Sequence, residues 1–113
     1  MTRDEILTRA GSIINGERQG IYGNAEESFA MIADFWMNYL GTPITASDVA
    51  NMMILMKVAR NSSGVYQDDN WIDICGYAAL GGEIQGNGLT PGDIELKSKT
   101  GLLGKYPWGS TEK

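Results

Sequence analysis

Residues 48–60 read DVANMMILMKVAR, and this stretch decides the fold of the chain. Val49, Met52, Met53 and Met56 recur at the i, i+3, i+4, i+7 spacing of one helical face. The other sides are apolar as well, and a helix that is apolar all round is usually buried all round. The stretch therefore predicts a central, buried helix.

Two cations lie at the end of this apolar helix. Lys57 and Arg60 are one turn apart, so their charged groups can lie on one side. Cations in a last helical turn also complement the helix dipole, and a lysine stem can lie along apolar surface while its ammonium reaches water. Both a ligand-binding role and a structural role are open for the pair.

Three further helices flank the central one. The first is predicted from Arg3 to Asn15, with a capping box formed by Thr2 and Glu5, and Gly16 ends it. The central helix opens with a similar box between Thr45 and Asp48.

The second helix is predicted to begin after Asn24 as N-cap and to end at Gly41. Its apolar residues recur at helical spacing and predict a single buried stripe. The members of that stripe are Phe29, Ile32, Ala33, Trp36, Tyr39 and Leu40.

The last helix is predicted from Trp71 to Ile84, with Asp68 or Asp69 as its N-cap. Its core-facing residues are predicted to be Ile72, Cys75 and Ala79. The fold class is therefore all-α, a compact bundle of about four helices over residues 1–84.

Residues 85–113 have a different character. Their many glycines, with Pro91 and Pro107, exclude long regular elements, whereas Leu102, Tyr106 and Trp108 are too apolar for an idle linker. We expect an irregular C-terminal tail that packs on the helical domain, crosses to a neighbouring subunit or covers a ligand.

Composition excludes several classes of function. A net charge of −5 argues against a nucleic-acid polymer as partner, and no apolar run approaches the ~18 residues of a membrane span. The first residues do not resemble a signal peptide. One cysteine permits no internal disulfide and suits the cytoplasm, and the lack of histidine removes imidazole bases and most zinc sites.

Acidic residues fall on two of the predicted helices. Glu26, Glu27 and Asp34 lie on the second helix, and Asp69 and Asp73 lie on the last. Carboxylates on paired helices can hold Mg²⁺, which prefers oxygen ligands and activates water. Asp73 lies inside its helix, where it has no capping role, so it is expected to pair with Lys57 or Arg60 or to bind a ligand or metal.

A phosphorylated ligand would be recognised by other side chains. Guanidinium and ammonium groups bind phosphate oxygens, and aromatic rings stack on a base. The residues predicted to bind such a ligand are Arg18, Tyr22, Lys57, Arg60, Trp71, Asp73 and Tyr77.

Four segments carry a family resemblance. The chain resembles a phage and prophage family of uncharacterised function. The segments that carry the resemblance are residues 18–23, the helix that contains Phe29 and Trp36, and residues 52–60 and 71–78. More remotely, the helical layout is similar to MazG-like all-α nucleotide pyrophosphohydrolases. That similarity implies Glu-x-x-Glu and Glu-x-x-Asp motifs that hold magnesium, and assembly as dimers or tetramers.

The match to the enzymatic motifs is partial. Ala30 stands where the second glutamate of the first motif would fall, and Asn70 replaces the glutamate that precedes Asp73. Asp69 is displaced by one residue. About half of the metal ligands implied by the resemblance are therefore present, which weakens the enzyme interpretation.

The favoured interpretation is a phage-type homo-oligomer in the cytoplasm of an infected bacterium. It would bind, without hydrolysis, a nucleotide or a nucleotide-derived messenger of host antiviral signalling. The alternative is a Mg²⁺-dependent nucleoside triphosphate pyrophosphohydrolase that uses Glu27, Asp34, Asp69 and Asp73. A third interpretation is a structural or partner-binding helical domain whose charged residues form ion pairs with one another.

Overall fold

Four α-helices make up the part of the chain that the computed structural model describes, residues 1–17, 20 and 23–87. They are α1 (Arg3–Ser12), α2 (Ala25–Leu40), α3 (Ala46–Ser63) and α4 (Asp68–Gly86), and α1 continues into a π-helical turn, Ile13–Glu17. These bounds confirm the predicted all-α bundle. The predicted tail beyond residue 87, together with Arg18 and Tyr22, lies outside the described residues.

The helix starts follow the predicted capping residues. The backbone N–H of Glu5 donates to Oγ1 of Thr2 at 3.1 Å, and the backbone N–H of Thr2 donates to Oε1 of Glu5 at 2.8 Å. The hydrogen bond from the backbone N–H of Thr2, and a further one from the Thr2 side chain, lower the pKa of the Glu5 carboxyl. The N–H of Asp48 donates in the same way to Oγ1 of Thr45 at 3.3 Å. Each cap satisfies backbone donors that have no partner within the helix.

Several predicted boundaries are wrong. Gly16 does not end the first helix, because it lies inside the π-helical turn Ile13–Glu17. The N-cap of α4 is Gln67, which makes no side-chain capping bond, so neither Asp68 nor Asp69 is the cap. Both carboxylates instead lie in the first turn, where the helix dipole favours them. At the other end of the preceding loop, α3 continues past Arg60 to Ser63 before Gly64 ends it.

α3 and α4 form an antiparallel helical hairpin, joined by residues 64–67, and their contact is the most extensive in the described chain. Lys57 contacts Asp73 near the loop, and Ala50 approaches Gly81 at the far end. α1 packs against α4, and α2 packs against α3 with a smaller contact to α4. Within the part of the chain that the structure describes, α3 therefore has helical neighbours on two of its sides only.

The core lies between α2, α3 and α4. Phe29 and Val49 are its largest fully buried side chains, and Ala33, Ala50 and Leu80 surround them. Every one of these residues lies on a face predicted to be apolar or on a slim helix. Among the described residues, more large apolar side chains are exposed than are buried.

Two predictions of burial are wrong, and both have the same cause. Tyr39 and Leu40 of the predicted α2 stripe are exposed, and Tyr39 retains 89% of its accessible surface. Met52, Leu55 and Met56 of α3 are also exposed, so this helix is not buried all round. Among the described residues, no neighbour covers the third side of α3 or the outer side of α2.

Small residues set the packing faces of α4. A Cβ atom on Gly76 would lie 3.2 Å from Cγ2 of Ile14, and one on Gly81 would lie 2.7 Å from the Cβ of Ala50. Ile72 is buried as predicted, whereas Ala79 is exposed, contrary to the predicted core stripe. The close glycine contacts turn Ala79 away from both neighbours. No helix in the described ranges is long and apolar enough to cross a membrane.

Candidate functional site

Lys57 and Asp73 form an ion pair inside the α3–α4 hairpin. Nζ of Lys57 lies 2.7 Å from Oδ2 of Asp73, and their side chains retain 11% and 33% of their exposure. Lys57 is buried because it lies on the side of α3 that faces α4, nearly two turns before the end of the helix at Ser63. The prediction that Asp73 pairs with one of the two cations is therefore confirmed for Lys57. The charges of these two residues satisfy each other.

A small cavity lies beside Asp73. Ala10, Ile13 and Ile14 line it from the α1 side, and α4 contributes Asp73 and Tyr77. Its volume is about 40 Å³. Such a space holds a water molecule, whereas ligand pockets usually measure roughly 300–1,000 Å³. The cavity next to the ion pair is therefore too small for a nucleotide.

Arg60 and Trp71 are exposed on the two sides of the hairpin loop. Arg60 lies in the last turn of α3 and forms no ion pair with another described residue, and Trp71 is 47% exposed in the first turn of α4. Between them, the hydroxyl of Tyr66 donates to Oδ1 of Asp68 at 2.6 Å, which raises the pKa of Tyr66. The hairpin end thus presents an exposed cation and an exposed aromatic ring.

Tyr77 is a packing residue in this structure. Its ring centroid lies 6.3 Å from that of fully buried Phe29, with the ring planes inclined by 42°. Tilted aromatic pairs at this distance are favourable. Because Tyr77 is half-buried in this contact, its ring is less exposed to solvent than the ring of Trp71.

The predicted metal ligands do not come together. Glu26 and Glu27 are exposed on the first turn of α2, and Asp69 is exposed on α4. Within the described ranges, no three His, Cys, Asp or Glu side chains form a group that could hold a metal ion. Asp34 is exposed in the middle of α2. The remaining predicted ligand residues, Arg18 and Tyr22, have no described position.

The exposure of two apolar stripes was not predicted from the sequence. On α2, Met31, Phe35 and Tyr39 lie at i, i+4, i+8 and are 62%, 68% and 89% exposed. Their regular spacing was the available signal, since it marks a second apolar face beside the one that contains Phe29. On α3, Met52, Leu55 and Met56 are exposed at i, i+3, i+4, and Val58 is exposed as well. The three α2 residues, together with Met52, Leu55 and Met56 of α3, are called the α2–α3 apolar surface below.

Comparison with known proteins gives the family. Residues 5–85, which run from the first turn of α1 to the last turn of α4, match the family described as domain of unknown function DUF6378. The chain belongs to this family. The match confirms the predicted resemblance to a protein family of uncharacterised function.

Two curated relatives of this DUF6378 member come from mycobacteriophages. The chain is 47% identical over 76 residues to the Gene 55 protein of Mycobacterium phage L5 and 44% identical over 75 residues to that of Mycobacterium phage D29. Each alignment covers 66% of the chain and 49% or 50% of the relative. The chain thus spans about half the length of the curated relatives it matches. No solved structure matches it.

Proposed function

We propose that the protein is a partner-binding helical domain that self-associates through the α2–α3 apolar surface. The observation that carries the proposal is the exposure of large apolar side chains at helical spacing on two neighbouring helices. Large exposed apolar patches mark interaction sites in soluble proteins. The Lys57–Asp73 pair then has a structural role, because it ties α3 to α4.

The exposed apolar area is compatible with a dimer interface. If each of its side chains exposes on the order of 100 Å², the α2–α3 apolar surface offers ~600 Å² per subunit, the lower end of the range for specific interfaces. Half of the residues on the surface are methionines, whose flexible side chains adapt to an opposing surface. A second copy of the chain presents the same apolar surface, which is what a two-fold interface requires.

The small core supports self-association over a monomeric role. Phe29 and Val49 are the largest side chains that are fully buried among the described residues. Small domains with little buried apolar surface commonly gain stability from oligomerisation. Burial of the α2–α3 apolar surface against a second copy would supply that missing area.

The proposal is tested by the mass of the full-length chain in solution. Light scattering after size-exclusion chromatography is expected to give an oligomer for the native chain and a monomer for Phe35→Lys. The matched control is Ala30→Lys, which adds the same charge at an exposed α2 position outside the stripe and should leave the oligomer intact. A monomeric native chain at concentrations of tens of micromolar would contradict self-association.

A second candidate function is favoured by the hairpin end. Arg60 is an exposed cation without an ion pair among the described residues. The exposed ring of Trp71 lies on the other side of the same hairpin loop, in the first turn of α4. These groups suit a small phosphorylated ligand of the nucleotide class, held by Arg60 and, after local rearrangement, by Lys57. A phage protein of this kind would sequester a nucleotide-derived messenger of host antiviral signalling without turning it over. The hydrolase alternative receives no comparable support, since the carboxylates are not grouped.

Ligand binding is tested by thermal denaturation with a nucleotide panel. A nucleotide at a hundredfold excess over its Kd should stabilise the native chain by about 2.7 kcal/mol and be recovered intact afterwards. Arg60→Ala should remove this effect, whereas Arg3→Ala, an exposed cation on α1, should retain it. Failure of every nucleotide to raise the melting temperature would reject this candidate and leave the self-association proposal untouched.

A further inference from the structure

One row of exposed side chains on α3 ends in a cation. Met52, Met56 and Arg60 lie at i, i+4, i+8, so two methionines are followed by an arginine along one side of the helix. Arg60 forms no ion pair with another described residue. The helical spacing places this row beside Val49, which packs in the core with Phe29 of α2. The row therefore borders α2.

α2 carries a complementary row in the reverse order. Glu27, Met31 and Phe35 also lie at i, i+4, i+8 and are exposed, so a carboxylate is followed by two apolar side chains. Glu27 has no ion pair with another described residue. Every charged residue of α2 is acidic, since residues 19–56 contain neither lysine nor arginine. Two α2 helices placed side by side would therefore repel each other, whereas α2 placed on α3 would bring opposite charges together.

The two rows also match in length and in position. Each row spans ~12 Å of helix, and Glu27 and Arg60 each lie ~20 Å along their helices from the short segment that joins Leu40 to Ala46. Helices joined by such a short segment run antiparallel. A two-fold axis parallel to them would thus place each α2 row on an α3 row of the second copy, with the charges at the same end.

We propose that α2 of one copy packs antiparallel on α3 of a second copy and that Glu27 pairs with Arg60 of the partner subunit. Met31 then lies against the partner's Met56, and Phe35 lies against the partner's Met52. Two-fold symmetry repeats this contact, so two ion pairs border the buried apolar side chains. This arrangement rests on the proposed self-association and specifies its orientation and the charges that select it.

Charge reversal followed by mixing of two full-length variants tests this arrangement. Arg60→Glu and Glu27→Lys each replace both ion pairs with like charges, so each variant alone should have a dimer Kd raised about tenfold or more in sedimentation equilibrium. An equimolar mixture of the two variants should recover association, because both pairs of the heterodimer join opposite charges. Glu26→Lys is the matched control, since it makes the same change in the same turn of α2 but outside the row. It should associate as the native chain does and should not rescue Arg60→Glu.

The outcomes separate this arrangement from the proposed function on which it rests. A monomeric native chain would reject self-association and this arrangement with it. An oligomer that Phe35→Lys dissociates, but that both charge reversals leave intact, would support self-association and overturn the pairing of α2 with α3. Recovery in the double variant Arg60→Glu and Glu27→Lys, without recovery in the mixture, would place the ion pair within one chain and would also overturn the arrangement.

A cross-linking measurement does not depend on how the charge variants fold. In a Cys75→Ser background, which removes the only native cysteine, chains with Glu27→Cys are mixed with chains with Arg60→Cys under mild oxidation. A disulfide between the two kinds of chain is expected. Glu26→Cys mixed with Arg60→Cys should give a much lower yield, and equal yields from the two mixtures would contradict the proposed register.

Discussion

Asp73→Ala is expected to lower the free energy of unfolding by about 3 kcal/mol. The substitution leaves the ammonium of Lys57 without its partner at a position where the side chain retains only 11% of its exposure. Removing one member of a buried ion pair costs ~3–5 kcal/mol, and the partial exposure of Asp73 places this case at the lower end. Urea denaturation followed by circular dichroism measures the change, with the full-length native chain as reference.

The double variant identifies the source of the loss. Lys57→Met combined with Asp73→Leu removes both charges and keeps apolar volume between α3 and α4, so it should recover most of the stability lost in Asp73→Ala. Asp34→Ala is the matched control, because this carboxylate is exposed in the middle of α2 and its loss should change stability by less than about 0.5 kcal/mol. Equal effects of the two Ala substitutions would show that the ion pair contributes no special stability.

This result also bears on function. If Lys57 and Asp73 serve only to hold the hairpin, the apolar double variant should self-associate as the native chain does. If Lys57 serves a phosphorylated ligand, the same variant should fold normally but lose the ligand-induced rise in melting temperature. The pair thus separates the two proposed functions in a protein that remains folded.

Gly81→Ala is expected to destabilise the chain by about 2 kcal/mol, even though alanine favours helix more than glycine does. The added Cβ would lie 2.7 Å from the Cβ of Ala50, a distance that forces α3 and α4 apart. Gly11→Ala, where no described atom lies within 4 Å, should instead stabilise by roughly 0.5–1 kcal/mol through helix propensity. Thermal and urea denaturation of both variants provide the comparison.

A compensating change in α3 tests the close approach directly. Ala50→Gly removes the methyl group that Gly81→Ala would meet, so the double variant should be more stable than the sum of its two single effects predicts. Gly81→Ala with native stability, or simple additivity in the double variant, would mean that the two helices do not touch at this point.

Local signals in the sequence determined the helix starts and the fold class. The residues at Thr2, Asn24 and Thr45 cap α1, α2 and α3 as predicted, because a capping hydrogen bond connects groups only three residues apart. Gly41 ends α2 with a positive φ of 69°, which glycine adopts without strain. The Lys57–Asp73 pair was partly predictable, since a charge inside an apolar helix requires a partner, but the sequence left Arg60 equally eligible.

Only the tertiary structure decided which apolar faces are covered and which charges meet. Helical periodicity identifies apolar faces on α2 and α3 but does not show how many neighbouring helices are available to bury them. Tyr39 and Leu55 were therefore predicted to lie in the core, whereas both are exposed to solvent. The glycine contacts of α4 set the register of the hairpin, which brings Lys57 rather than Arg60 to Asp73. Burial and ion pairing depend on residues distant in sequence, whereas capping and periodicity depend on residues within a turn or two.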